Sequence, residues 1–104
     1  MYIAMNRFNI AKGCEDEFTN RWKNRQSHLK ELPGFVEFQL LRCDTSEDQE
    51  ATLFASHTVW KTKEDFINWT KSPQFRDSHK NAGGGKPLFI GAPKFEGFEV
   101  IVAE

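Results

Sequence analysis

The alternation of apolar and polar residues predicts four β-strands, at residues 2–10, 35–42, 52–60 and 94–102. Successive side chains of a strand point to opposite faces, so every second residue shares a face. The first strand is apolar at every second position from 2 to 10 except at Asn6, where a polar amide stands. In the last strand Phe98, Val100 and Val102 share one face.

Apolar residues recur at helical spacing between the first two strands. Phe18, Trp22 and Leu29 follow three acidic residues at positions 15–17, which suit a first helical turn because the helix dipole is positive there. A Pro-Gly pair at positions 33–34 would end this helix. The spacing therefore predicts one helix between the first strand and the second.

A second helical region follows the third strand. Thr62 is suited to cap a helix that carries Phe66 and Trp69. The Ser-Pro pair at positions 72–73 interrupts this helix and provides a cap for a short further helix. That short helix is predicted to run through Phe75 to about residue 79 or 80, where a glycine-rich stretch prevents its continuation.

The order of elements, β-α-β-β-α-β, predicts a ferredoxin-like α+β domain with an antiparallel sheet of four strands and helices on one face. The chain has 104 residues, which is enough for one such domain over residues 1–104. The opposite face of the sheet is partly apolar, with Ile3, Met5 and either Phe35 or Leu41. We expect a second copy to cover this face in a homodimer.

Charge and composition exclude several kinds of partner. The formal net charge is −1, and the charges are mixed along the chain, which argues against binding to nucleic acid or to a membrane surface. No apolar run is long enough to span a bilayer. Cys14 and Cys43 lack Cys-x-x-Cys spacing, so free thiols in a reducing compartment are expected. These features predict a cytoplasmic protein.

Several common kinds of site lack a supporting pattern. The three histidines lie on different predicted elements and have no zinc-ligand spacing. The glycine run at 83–85 lacks the lysine and hydroxyl ending of a phosphate-binding loop, and no Gly-x-Ser-x-Gly elbow occurs. These absences argue against zinc, nucleotide and hydrolase sites.

Three residues from separate elements remain as candidates: Asn6, Trp69 and His79. Each has an ordinary explanation, since an amide can bond to a neighbouring group, a tryptophan can fill a core and a histidine can face water. A break at residues 72–73, however, could hold the helices away from the sheet and leave a cleft with Asn6 on its floor. Such a cleft suits a flat, metal-bearing ligand, and a neutral imidazole commonly binds heme iron.

With these three residues the chain resembles the IsdG-type heme-degrading monooxygenases, within the antibiotic-biosynthesis-monooxygenase superfamily. The resemblance covers nearly the whole domain, including "PGFVEFQLLR", "TVWKTKEDFINW" and "SPQFRDSH". The first two segments carry motifs that are widespread in the superfamily. The set of Asn6, Trp69 and His79 is the feature that matches the heme-degrading branch.

The resemblance implies a role for each of these residues. His79 would be the proximal ligand of the iron, Asn6 would donate a hydrogen bond to the distal ligand, and Trp69 would press the porphyrin out of plane. Phe66 and Phe75 complete the predicted heme-contacting set. Heme would be both substrate and cofactor. Dioxygen and an external electron donor such as a reductase would be needed, and the products would be an opened tetrapyrrole and free iron.

Other interpretations remain open from the sequence. The glycine-rich loop at 83–87 could close over a ring, with Lys80 or Lys86 near a propionate, or it could be a solvated loop. The same fold could serve a cofactor-free monooxygenase of a quinol or another aromatic substrate. A heme carrier or a small dimeric regulatory module would have the same elements without turnover.

Overall fold

The computed structural model describes residues 1–24, 28–45, 47–73, 75 and 88–104. Four strands and two helices make up its regular structure, together with a 3-10 turn at Leu29–Glu31. The strands are β1 Tyr2–Ala11, β2 Phe35–Arg42, β3 Ala51–Trp60 and β4 Lys94–Glu99; the helices are α1 Glu15–Asn24 and α2 Lys63–Thr70. No helix in the described ranges is long and apolar enough to cross a membrane.

The four strands form one antiparallel sheet in the order β2-β3-β1-β4. The predicted ferredoxin-like α+β fold is therefore confirmed. The two central strands, β1 and β3, pair without interruption from Tyr2 opposite Trp60 to Ala11 opposite Ala51. This continuous ladder decides which side chains of the sheet share a face, because alternate residues point to opposite sides.

One face of the sheet packs against the helices. It carries two groups of buried residues, one beneath α2 and one beneath α1. The first cluster contains Tyr2, Ala4, Leu29, Trp60 and Trp69. The second cluster contains Phe8, Ile10, Phe18, Phe54 and Leu88. Burying each large side chain of this kind stabilises the fold by about 1.5–3 kcal/mol, so the aromatic residues supply much of the driving force.

The first helix is shorter than the spacing predicts. Helix α1 ends at Asn24, and His28 lies outside any helix, ahead of the 3-10 turn. Phe18 packs into the second cluster, whereas Leu29 packs into the first. The two residues predicted for one helix therefore serve different clusters, and Leu29 lies in the 3-10 turn rather than in α1.

Strand β2 differs from its predicted alternation at its beginning. The ladder with β3 shifts between Phe35 and Glu37, as at a β-bulge. The shift turns Phe35 toward the helices, where its ring meets Trp60 edge-on at 5.7 Å between centroids. Val36 is exposed rather than facing the same side as Phe38. Of the two residues left open for the outer face, Phe35 packs toward the helices and Leu41 is exposed on the outer face.

Strand β4 is also shorter than predicted, ending at Glu99 rather than at residue 102. Its ladder with β1 finishes at the pair Tyr2 and Glu99, after which Val100 N–H donates to the Met1 carbonyl at 3.0 Å. Beyond that point Ile101 is 88% exposed. The alternation of apolar residues therefore continues past the last paired residue.

Candidate functional site

The floor of the candidate site is one row of residues across the helix-facing side of the sheet. The strand registers place Leu40 opposite Ser56, Ser56 opposite Asn6, and Asn6 opposite Phe95. The row thus crosses all four strands, and its two polar side chains lie side by side at its centre. Directly opposed residues of an antiparallel pair have Cβ atoms about 4.5–5.5 Å apart.

Asn6 lies in a gap between the two buried clusters. Its neighbours along the same face, Ala4 and Phe8, are buried, each in a different cluster, whereas Asn6 is only partly buried. Neither Asn6 nor Ser56 belongs to either cluster, and neither side chain makes a hydrogen bond to another described residue. The sheet therefore places two neighbouring polar groups, the partly buried Asn6 and the buried Ser56, between the two apolar clusters.

Helix α2 supplies one aromatic wall. The Thr62 hydroxyl accepts a hydrogen bond from Asp65 N–H at 3.1 Å and caps the helix, as predicted. From this helix Trp69 packs on Trp60 with ring centroids 5.5 Å apart. Phe66 stacks on Phe95 at 5.5 Å with their planes 5° apart, so this wall reaches the floor beside Asn6.

Helix α1 supplies a second aromatic wall. Trp22 stacks on Phe38 of β2 at 5.4 Å with an interplanar angle of 12°. The Trp22 ring also lies 6.0 Å from that of Phe8, the next helix-facing residue after Asn6 in β1. The row of Asn6 and Ser56 is thus flanked by flat aromatic surfaces from both helices.

The predicted break after α2 begins as expected. The Ser72 hydroxyl donates to the Trp69 carbonyl at 2.6 Å and accepts from Phe75 N–H at 3.1 Å. The Phe75 ring meets Trp69 edge-on, with centroids 4.8 Å apart. Ser72 therefore links the backbone of two of the predicted heme-contacting residues.

The structure brings together four of the five predicted site residues on one side of the sheet: Asn6, Phe66, Trp69 and Phe75. His79 lies outside the described residues, as do Lys80, Lys86 and the 83–87 loop. Within the described ranges no group of three His, Cys, Asp or Glu side chains could hold a metal ion. The role of His79 as an iron ligand stays a prediction.

Helix α1 is anchored to the sheet by Glu15. Its carboxylate accepts hydrogen bonds from Gly13 N–H at 2.6 Å and from the Thr52 hydroxyl at 3.0 Å. A backbone hydrogen bond from its own N–H is the main cause that lowers the pKa of Glu15, followed by the bond from Thr52. This anchoring places α1, and hence Trp22, over the sheet.

A separate open hollow of about 770 Å³ lies at the edge formed by β2 and the 3-10 turn. Phe38 lines it and also stacks on Trp22, so the hollow borders the α1 wall of the site. Basic side chains from Lys23, His28 and Lys30 lie around it.

Sequence reasoning did not select Ser56 or Phe95 as site residues. Ser56 appears in the sequence as a polar residue on a strand face shared with Phe54, but its position opposite Asn6 depends on the register of β1 with β3. Phe95 lies beside Asn6 only because β4 pairs with β1. The sequence did contain one signal for Ser56: a polar residue stands next to an apolar one, Phe54, on the same face of a predicted strand.

The comparisons with known proteins agree with this fold. A family model described as antibiotic biosynthesis monooxygenase matches residues 1–81, and the chain belongs to this family. A protein of Bacillus thuringiensis (strain Al Hakam) named heme-degrading monooxygenase is 32% identical over 102 residues, which cover 98% of this chain and 92% of the relative. The resemblance and the expectation of a monooxygenase are confirmed.

Two solved structures extend the comparison. The heme degrader MhuD from Mycobacterium tuberculosis, solved with two hemes bound in its active site, matches with a TM-score of 0.75 and 27% identity, over 100% of this chain and 99% of that chain. SnoaB from Streptomyces nogalater, a cofactor-independent oxygenase, matches with a TM-score of 0.68 and 17% identity, over 98% and 95% of the two chains. The likeness to SnoaB shows the fold alone.

Proposed function

We propose that the chain is a heme-degrading monooxygenase that binds heme as its substrate and opens the porphyrin ring with dioxygen and electrons from an external donor. The observation that carries the proposal is the position of Asn6. Its carboxamide has no hydrogen-bond partner among the described residues and lies between two aromatic walls. The names of the relatives support the same reading.

The chemistry of these residues fits heme. A porphyrin is flat and apolar over most of its area, which suits stacking against Trp22, Phe66 and Trp69. Its centre carries a metal with polar ligands, which suits the amide of Asn6 between the two aromatic walls. A fully buried amide without a partner costs about 1–3 kcal/mol; Asn6 is partly buried, so a ligand that covers it and bonds to it would offset only part of this cost.

Each residue has a proposed task. His79 would hold the iron through a neutral ring nitrogen, and Asn6 would direct an N–H toward the opposite side of the ring. Trp69 would present its bulk to the porphyrin face, braced by Trp60 behind it and by Phe75 at its edge. When bound, heme supplies both the iron that activates dioxygen and the carbon skeleton that is oxidised. The protein's residues would bind the heme, orient it and exclude water from it.

Titration of the purified protein with hemin tests the binding step. We expect a shifted Soret band with one-to-one saturation, and loss of its histidine-ligated character in His79→Ala. The control is His28→Ala, because His28 lies beside the 3-10 turn, lining the separate hollow. A wild-type spectrum identical to that of free hemin would contradict the proposal and favour a cofactor-free oxygenase.

Turnover is tested by adding ascorbate or a reductase system in air to the hemin-loaded protein. We expect the Soret band to bleach and iron to be released, as measured with a ferrous chelator. A band that persists would identify a heme carrier rather than an enzyme. Mass spectrometry of the product after a single turnover then identifies the tetrapyrrole and the position of ring opening.

We further propose that the protein is a homodimer in which a second copy covers the outer face of the sheet. Leu41 and Phe98 expose apolar surface on this face, beside Ile3 and Met5. Nδ1 of His57, also on this face, is buried without a hydrogen-bond partner. Such a group is expected to find its partner across an interface.

Light scattering after size-exclusion chromatography tests the dimer. Leu41→Glu would place a charge in the interface, and we expect it to give a monomer. Asn20→Glu is the control, because Asn20 is exposed on α1, on the other side of the sheet. A monomeric wild-type protein would refute this part of the proposal.

The two thiols, which form no disulfide, are consistent with work in a reducing cytoplasm beside an electron-donating reductase.

A further inference from the structure

We propose that Ser56 is a positioning residue for Asn6: in the loaded site its hydroxyl donates to Oδ1 of Asn6 and turns the Nδ2 amide hydrogens toward the ligand. The inference rests on the proposed function and concerns the same site. It starts from the pairing of these two residues at the centre of the floor.

The geometry limits which group can do this. Ser56 lies directly opposite Asn6, while the other two members of the row, Leu40 and Phe95, are apolar. Thr58 is the next polar residue on the same face of β3, but it lies opposite Ala4. A diagonal neighbour of this kind is about 7–8 Å away between backbone positions, beyond the reach of a hydroxyl hydrogen bond.

The Ser56 hydroxyl is available for a new hydrogen bond. Only 5% of Ser56 is exposed, and its hydroxyl makes no hydrogen bond to another described residue. Thr52, on the same face of β3, differs in this respect, because its hydroxyl already donates a hydrogen bond to Glu15 at 3.0 Å. The Ser56 hydroxyl and the Asn6 amide face each other without such a bond, and a rotation of the two side chains could join them.

The orientation of a carboxamide matters because its two ends are nearly equal in shape and opposite in polarity. A ligand that accepts hydrogen bonds requires the Nδ2 end. If Ser56 donates to Oδ1, the amide is held with Nδ2 toward the ligand, and each bond of the chain polarises the next. Without the hydroxyl, both orientations are populated and only one of them is productive. Losing one neutral hydrogen bond changes an equilibrium about three- to ten-fold.

The test uses the hemin-loaded protein and two readouts besides turnover: azide affinity of the ferric form, and the infrared stretching band of carbon monoxide on the ferrous form. We expect Ser56→Ala to weaken the binding of azide about three- to ten-fold. We also expect it to move the carbon monoxide stretching band toward its position in Asn6→Ala. Ser56→Thr retains the hydroxyl and should behave as wild type. Thr58→Val removes a buried hydroxyl one pair away and should leave the band unmoved.

A double variant decides between positioning and direct contact. Ser56→Ala added to Asn6→Ala should cause no further change, because Ser56 acts through Asn6. A further shift of the same size in that background would mean that the hydroxyl meets the ligand itself, and the positioning role would be overturned. An unmoved band in Ser56→Ala would also overturn it while the proposed function stands. Failure of the wild-type protein to bind hemin would overturn both.

Discussion

Replacing Asn6 with leucine should stabilise the ligand-free protein while it abolishes the proposed function. The amide lies on an otherwise apolar strand face between Ala4 and Phe8 and has no hydrogen-bond partner among the described residues. Substituting a residue that serves folding lowers the stability of the protein. Substituting a polar residue that serves a ligand is expected to raise it.

The magnitude follows from burial. Full burial of an unpartnered amide costs about 1–3 kcal/mol, and full burial of a leucine side chain contributes about 1.5–3 kcal/mol. Asn6 is only partly buried, so we take roughly a third of the sum and expect the free energy of unfolding to rise by about 1–2 kcal/mol. For a domain of this size each kcal/mol raises the melting temperature by about 4–8 °C.

Urea denaturation of the ligand-free protein measures the change, with an unaltered m-value required for the comparison. Asn20→Leu is the control, because Asn20 is exposed on α1 and the same substitution should there change stability by only about 0.5 kcal/mol or less. Hemin titration of Asn6→Leu completes the experiment, with altered spectra or lost turnover expected. If Asn6→Leu lowered stability by about 1 kcal/mol or more, Asn6 would have a structural partner and the argument for its ligand would fail.

Two further predictions concern the frame of the site. Because the pKa of Glu15 is lowered in the folded protein, its stabilising effect is present above the ordinary value of 4.5 and is lost as the pH falls through the folded-state pKa. Glu15→Gln should therefore lower the melting temperature at neutral pH, with the gap closing in acid; a gap of the same size at both pH values would contradict this. Gly34 has φ +80°, and an added Cβ would collide with the Asp65 side chain, so Gly34→Ala should lose more than the roughly 1–2 kcal/mol of left-handed strain alone. Gly13→Ala, with φ +93° and open space around its Cβ, isolates that strain; equal losses in the two variants by urea denaturation would refute the collision.

The local pattern of the chain was enough for the order of its elements. Alternation predicted the strands, and the Thr62 and Ser72 caps were visible because capping depends on residues only three positions apart. Asn6 was visible for the same reason, as a polar residue in an apolar row. The predictions were wrong at the ends of α1 and β4, where the paired or packed residues are distant in sequence.

The sequence by itself determined which residues form strands and helices and that Asn6 interrupts an apolar face, because these properties depend on spacing along the chain. Only the tertiary structure decided that Ser56 lies opposite Asn6, that Phe95 lies on its other side, and that the two helices bury separate clusters with the amide between them. Strand register joins Asn6 to Ser56 and to Phe95, which are distant in sequence, and no local period encodes which residues meet.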